Sequence, residues 1–254
     1  MRSSIDLETL KKLCFKQNLD PSLNERYRRS WAMYYPLVVT HFISIRVVRL
    51  LYPTPVSPNT ITWLSYLTGW TSCFFFLKPG AWVLAGALCF ELFYVLDAVD
   101  GQLARARGSG SRGGAFLDDW ANFLVPPVIL FAIGMRPEVF WVRGWTAFFA
   151  SFSVMTVSII ELLKDRLSPA RSRGSAAPAA ITSRHPVKIL YSFVYRSCTM
   201  PVIMNLVTIA SVLEAFGVRE PVSGLSYPAF LVYYFAVAGP LVALSKGAHT
   251  ARTL

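Results

Sequence analysis

A chain of 254 residues that is 54% hydrophobic and only 15% charged, with a mean hydropathy of +0.45, has too few polar side chains to cover a soluble surface; ordinary globular chains carry about 25% charged residues. Four cysteines and 14% aromatic residues also exclude a disulfide-built secreted scaffold and a disordered tail, which leaves an integral membrane protein. Twenty-five Lys and Arg against 14 Asp and Glu, a net charge of +11, point to anionic membrane lipid or a phosphate-bearing ligand, and the apolar content argues against nucleic acid.

Residues 1–30 are polar, with no apolar run behind a basic start, so no cleaved signal peptide is expected. Residues 31–52 are apolar with Arg46 and Arg49 near one end. This pattern predicts an amphipathic helix lying in the membrane interface, with a seventh span as the alternative. Six stretches then approach the roughly 20 apolar residues that a membrane helix needs: 57–76, 80–100, 114–135, 140–163, 189–213 and 227–247. Each is bounded by Gly, Pro or charge. Pro126, Pro127, Pro201 and Pro240 fall inside them and are expected to kink rather than end the helices. The expected fold is all-α: a segment of residues 1–56 carrying the interfacial helix, then a six-span domain over 57–254.

Orientation follows from the cations. With a cytosolic N-terminus, all basic residues except Lys78, Arg136, Arg143, Arg219 and the intramembrane Arg196 fall on the cytosolic side, as the positive-inside rule requires. Cys14, Cys73, Cys89 and Cys198 show no C-x-x-C spacing and read as small hydrophobes; His41, His185 and His249 are scattered.

The scarce acids carry the chemical signal, because acids inside apolar spans are costly. Glu91, Asp97, Asp100, Asp118, Asp119 and Glu161 lie in such segments, and four of them bracket one short basic loop over 101–113. Asp97 and Asp100 are i, i+3 at the end of the second span; Asp118 and Asn122 are i, i+4 at the start of the third. A tight connection lets the two faces converge. Three carboxylates and an amide carbonyl suit Mg²⁺ or Mn²⁺, which commonly shares its shell with substrate phosphates. Gly101 and Gly114 allow close backbone approach, and Arg105, with Arg107 and Arg112 nearby, supplies cations for a diphosphate. Helix caps and topology signals are the plainer reading of each residue taken singly, but three acids within apolar sequence call for a shared partner. Glu91, six residues before Asp97, faces differently and reads as structural.

This pattern resembles the CDP-alcohol phosphotransferase family, whose signature runs D-x-x-D-G-x-x-A-R, about eight residues, then G-x-x-x-D-x-x-x-D. Asp97, Asp100, Gly101, Ala104, Arg105, Gly114 and Asp118 match it, and Pro58-Asn59-Thr60-Ile61-Thr62 matches the P-N-x-x-T element that opens the family's first span. The resemblance covers about residues 30–247. It implies six spans after an interfacial helix, a homodimer, and a reaction in which an acceptor attacks the β-phosphorus of a CDP-linked donor, CDP-diacylglycerol foremost, and CMP leaves. It further implies that Asp97, Asp100 and Asp118 hold the metal on the diphosphate, while Asn59, Thr62, Gly101, Ala104, Arg105 and Ser111 line the nucleotide site.

One position departs. The family's fourth acid, a metal ligand and the proposed general base, is Asn122 here; its carbonyl can still meet a metal, but an amide accepts no proton at neutral pH. Three readings stay open. The acceptor's nucleophile is already anionic; or another acid substitutes, Asp119 (about 100° away on an ideal helix), Glu161 or Glu91; or the protein binds nucleotide with little turnover. Arg196 is either paired with an acid such as Glu161 or clamps an anionic group of the substrates, helped by Lys188, Lys164 or Arg166. A prenyl-diphosphate transferase would carry two separate aspartate-rich motifs rather than one compact cluster. A small transporter would show repeated halves, and none is evident.

Overall fold

The computed structural model describes residues 5–14, 31–78, 80–136, 143–167, 200–219, 221, 223 and 225–253. Among them are eight helices: α1 (Leu7–Cys14), α2 (Trp31–Leu51), α3 (Pro58–Phe76), α4 (Trp82–Arg107), α5 (Arg112–Gly134), α6 (Arg143–Leu167), α7 (Met200–Ala215) and α8 (Tyr227–Thr253). The fold is all-helical. Among the described residues, three helices are long and apolar enough to cross a membrane: α4, α5 and residues Tyr227–Ala248 of α8. Gly144–Ile160 and Val202–Ala215 are shorter apolar stretches. The first expected span, α3, is less apolar because Asn59, Thr60, Thr62, Ser65, Thr68, Thr71 and Ser72 all lie on it. Three of these, Thr62, Ser65 and Ser72, are buried, while Trp63, Leu67, Trp70 and Phe74 face outward, the arrangement a lipid-facing helix with a polar inner stripe requires.

Contacts divide the chain into two units. The first comprises residues 1–72 and 88–122, the second 73–87 and 123–254. In the first, Ile45 and Val48 of α2 pack with Ile61 of α3, Val99 and Leu103 of α4, and Leu10 and Cys14 of α1. The helix α1 was not anticipated from the polar N-terminal stretch. Its signal is short: Asp6 Oδ1 accepts the backbone N–H groups of Glu8 and Thr9, both at 3.0 Å, as a helix N-cap does, and Leu7, Leu10 and Cys14 repeat at i, i+3, i+7.

In the second unit α8 packs along α6 and against α7. Gly239 makes the α6 contact possible, since a Cβ there would lie 2.5 Å from Ser153 Cβ. A buried ion pair ties three chain segments of this unit. The Arg136 guanidinium donates to both carboxylate oxygens of Glu214, at 2.8 Å to Oε2 and closer to Oε1, and Glu214 Oε1 also accepts the Gly80 N–H at 3.1 Å. α5 and α8 run on through Pro126, Pro127 and Pro240, whereas Pro201 lies in the first turn of α7.

Candidate active site

Helix ends shape the site. Expected to stop near residue 100, α4 continues to Arg107, because Gln102-Leu103-Ala104-Arg105-Ala106-Arg107 consists of strong helix formers. It stops at Gly108, whose φ of 62° closes a Schellman cap: the Gly108 N–H donates to Arg105 O at 3.2 Å and the Ser109 N–H to Ala104 O at 3.0 Å. The expected loop of residues 101–113 is thus only 108–111, and Gly101 is helical. Ser111 then caps α5, its Oγ accepting the Gly114 N–H at 2.9 Å. Ser57 caps α3 in the same way, accepting the Thr60 N–H at 3.1 Å, with Pro58 in the first helical position. Tyr66 of α3 donates to Leu117 O of α5 at 3.2 Å.

A cavity of about 430 Å³ lies within the first unit. Asn59 and Thr62 of α3 line it, with Asp100, Gly101, Ala104 and Arg105 of α4. Ser111, Gly114 and Asp118 complete the wall from the α4–α5 turn and α5. Residues at two helix N-termini, Pro58 and Asn59 of α3 and Gly114 of α5, border this space, and the positive end of a helix dipole suits phosphate oxygens. Asp100 is nearly inaccessible; its Oδ2 accepts the Thr62 hydroxyl at 2.6 Å.

Asn122 bridges the acids. Its Nδ2 amide donates to Asp97 Oδ1 at 3.0 Å and to the Asp118 backbone carbonyl at 3.2 Å, so it joins α4 to α5 through N–H groups and keeps its own Oδ1 for another partner. The Asp97 and Asp118 carboxyls lie within hydrogen-bond reach of each other. Two carboxylates that close repel unless a proton or a cation stands between them. Among the described residues, no three His, Cys, Asp or Glu side chains are drawn together tightly enough to form a metal cage by themselves. The donor set is nonetheless of the hard-oxygen kind that Mg²⁺ shares with water and substrate phosphates, so the residues present fit such an ion.

Other expected residues have different surroundings. Arg107 donates to the backbone carbonyls of Leu51, Tyr52, Thr54 and Val56; it fastens the α2–α3 connection and is occupied there. Arg105 donates from Nε to Cys14 O at 2.8 Å. Asp119 is half-buried on α5, and Arg112 is exposed at its start. Arg196 and Lys188 lie outside the described residues, as do the side chains of Glu161, Lys164 and Arg166. The buried ion pair that the structure does describe, Arg136–Glu214, was missed because neither residue stands beside a motif and their separation of 78 positions leaves no local trace.

An all-helical membrane protein with Asp100 and Asp118 of its signature on such a cavity, and Asp97 tied to Asn122, belongs with the membrane phosphotransferases. The chain is a member of the CDP-alcohol phosphatidyltransferase family, whose sequence profile matches residues 55–216. Over 109 residues it is 31% identical to the archaetidylinositol phosphate synthase of Pyrococcus horikoshii, a match covering 43% of this chain and 57% of that one; the chain thus matches just over half the length of this relative. The phosphatidylinositol phosphate synthase of Mycobacterium tuberculosis has a similar fold. Its crystal structure with CDP-DAG bound matches at a TM-score of 0.53 and 19% identity, covering 82% of this chain and 92% of that one. Its apo form matches at 0.50 and 17%, covering 82% and 95%.

Proposed function

We propose that the protein transfers a phosphoalcohol, foremost the phosphatidyl group of CDP-diacylglycerol, from a CDP-linked donor to a polar acceptor and releases CMP, a step of phospholipid biosynthesis. The observation that carries this reading is the cavity shared by Asn59, Thr62, Asp100, Gly101, Ala104, Arg105, Ser111, Gly114 and Asp118, the family's motif positions. The names of its relatives, and CDP-DAG in the related crystal structure, support a lipid donor.

In this reading Arg105 and the α5 N-terminus take the diphosphate, Gly101 and Gly114 leave it room, and Asn59 and Thr62 meet the nucleotide. The acceptor oxygen forms a bond to the β-phosphorus as the bond to the CMP phosphate breaks, and CMP departs with the electron pair. Asp97, Asp100 and Asp118, with Asn122 through Oδ1, would hold Mg²⁺ or Mn²⁺. Such an ion neutralises charge that develops on the phosphoryl oxygens. Because an amide is not basic at neutral pH, Asn122 takes no proton from the acceptor; its N–H groups go to Asp97 and the Asp118 carbonyl. An acceptor that attacks as a preformed anion, a phosphate, phosphonate or carboxylate, fits this best; with a hydroxyl acceptor, Asp119 is the substitute base. Six spans, a cytosolic site and N-terminus, contacts with anionic lipid and a homodimer complete the proposal.

The test is a CMP-release screen in detergent, crossing CDP-diacylglycerol and soluble CDP-alcohols with alcohol, phosphate and carboxylate acceptors. Asp97→Ala and Asp118→Ala should each reduce release at least a hundredfold, a loss of roughly 2.7 kcal/mol in transition-state stabilisation. Wild-type rates in both would remove the metal-site assignment.

A further inference from the structure

The N-terminal helix reaches the candidate donor site. Leu10 is fully buried and Cys14 2% exposed, and both belong to the core that Leu103 and Ala106 of α4 help to form. At the last residue of α1, Cys14 O accepts the Arg105 Nε–H at 2.8 Å, and Cys14 Sγ lies 3.5 Å from Gln102 O, to which it donates. The Arg105 terminal nitrogens lie across Gly101, Nη1 3.2 Å and Nη2 3.7 Å from where a Cβ on that glycine would stand. One donor of the guanidinium is therefore fixed by α1 while the side chain lines the cavity.

Three physical consequences follow. A planar guanidinium tied at Nε has lost the rotation that would otherwise spread its fork of donors, so less entropy remains to be lost on binding a phosphate. The carbonyl end of α1 carries the negative end of a helix dipole, a favourable neighbour for a cation. And an eight-residue helix is not stable by itself in water, so α1 exists where Leu10 and Cys14 are docked.

From these observations we infer that α1 is a positioning element of the donor site: its docking holds Arg105 in the orientation that receives the donor's diphosphate, and donor affinity depends on it. The inference rests on the reading of Arg105 as a diphosphate ligand. It assigns the polar N-terminal stretch a role in substrate binding through a backbone atom, Cys14 O.

Leu10→Asp in the full chain tests it, because a carboxylate cannot remain in that apolar core without a partner. The variant should bind CDP with Mg²⁺ about tenfold more weakly by calorimetry and raise KM for the CDP donor by a similar factor, with kcat within about twofold, the tenfold being equivalent to ~1.4 kcal/mol. Cys14 alkylation, followed at peptide level, should accelerate in the same variant as the helix leaves. Unaltered CDP affinity in Leu10→Asp overturns the inference. So does slow Cys14 alkylation there, because a helix that stays docked with a carboxylate at residue 10 is not held by the contacts described. Arg105→Ala separates the two levels. If it weakens CDP binding and Leu10→Asp does not, only the role of α1 fails; if Arg105→Ala also binds CDP normally, the donor-site reading fails first.

Discussion

A methyl group on residue 114 would stand 3.0 Å from Asn59 Oδ1 and 3.1 Å from Ser111 Oγ. Gly114→Ala therefore pushes on two polar groups of the cavity wall at once, and it should raise KM for the CDP donor roughly five- to tenfold, ~1–1.4 kcal/mol, with little change in thermal stability; steady-state CMP release and a melting curve check both halves. Titration is informative at Cys14, where burial pushes the thiol up to about 11 against the opposing pull of Arg105. At pH 8 only on the order of one thiol in a thousand is then ionised, so wild-type Cys14 should alkylate slowly and speed up only as the pH approaches 11. Single residues of this kind were legible to different degrees. The aspartates stood out because acids are rare in apolar sequence, and their spacing carried the cluster. Arg107 did not: its partners are backbone carbonyls, which look alike from every residue, so a cation that fastens a loop read as one available to phosphate.

At the scale of elements, the helices were visible and some of their ends were not. Hydrophobic length marks a span, but the polar turns of α4 beyond Asp100 carry no apolar signal, and only helix propensity and the Gly108 cap locate the true end. The short helix α1 was hidden because four apolar side chains in eight residues, one of them the exposed Leu13, are too few for a pattern until α2 and α4 supply the surface that the others meet. The Arg136–Glu214 pair joins elements that sequence could not relate. Its guanidinium is completely buried, and removing one member leaves an uncompensated charge, which typically costs about 3–5 kcal/mol. Arg136→Met should thus lower thermal stability sharply, and the double variant Arg136→Met with Glu214→Leu should recover a large part of the loss. Equal destabilisation by single and double variants, read from thermal unfolding in detergent, would show that the pair itself is not what holds these segments.

For the whole molecule, the composition announced a membrane protein, and the cation distribution predicts its orientation. Among the described residues, three of the six expected spans are matched by helices long and apolar enough to cross; the hydroxyl-rich face of α3 keeps its hydropathy below theirs. Every motif position matched in sequence except Asp97 lines the cavity, so the chemistry was more legible than the packing that presents it. A divalent ion shared by several acids makes activity depend on free cation. EDTA should abolish CMP release and Mg²⁺ or Mn²⁺ restore it, whereas activity that persists after exhaustive chelation contradicts the proposed ion.

The amide of Asn122 has a genetic side. Asn and Asp codons differ by a single base, so the family's fourth acid is always within one mutation of this chain. Such a change would exchange a donor 3.0 Å from Asp97 Oδ1 for a third carboxylate beside Asp97 and Asp118, turning an attraction between α4 and α5 into a repulsion that a proton or a bound cation relieves. Asn122→Asp should consequently gain more thermal stability from added Mg²⁺ than the wild-type protein does, measured as the shift of the melting temperature with and without the ion. With the amide in place, the α4–α5 junction keeps one N–H attraction, from Asn122 Nδ2 to Asp97 Oδ1 at 3.0 Å, that needs no ion.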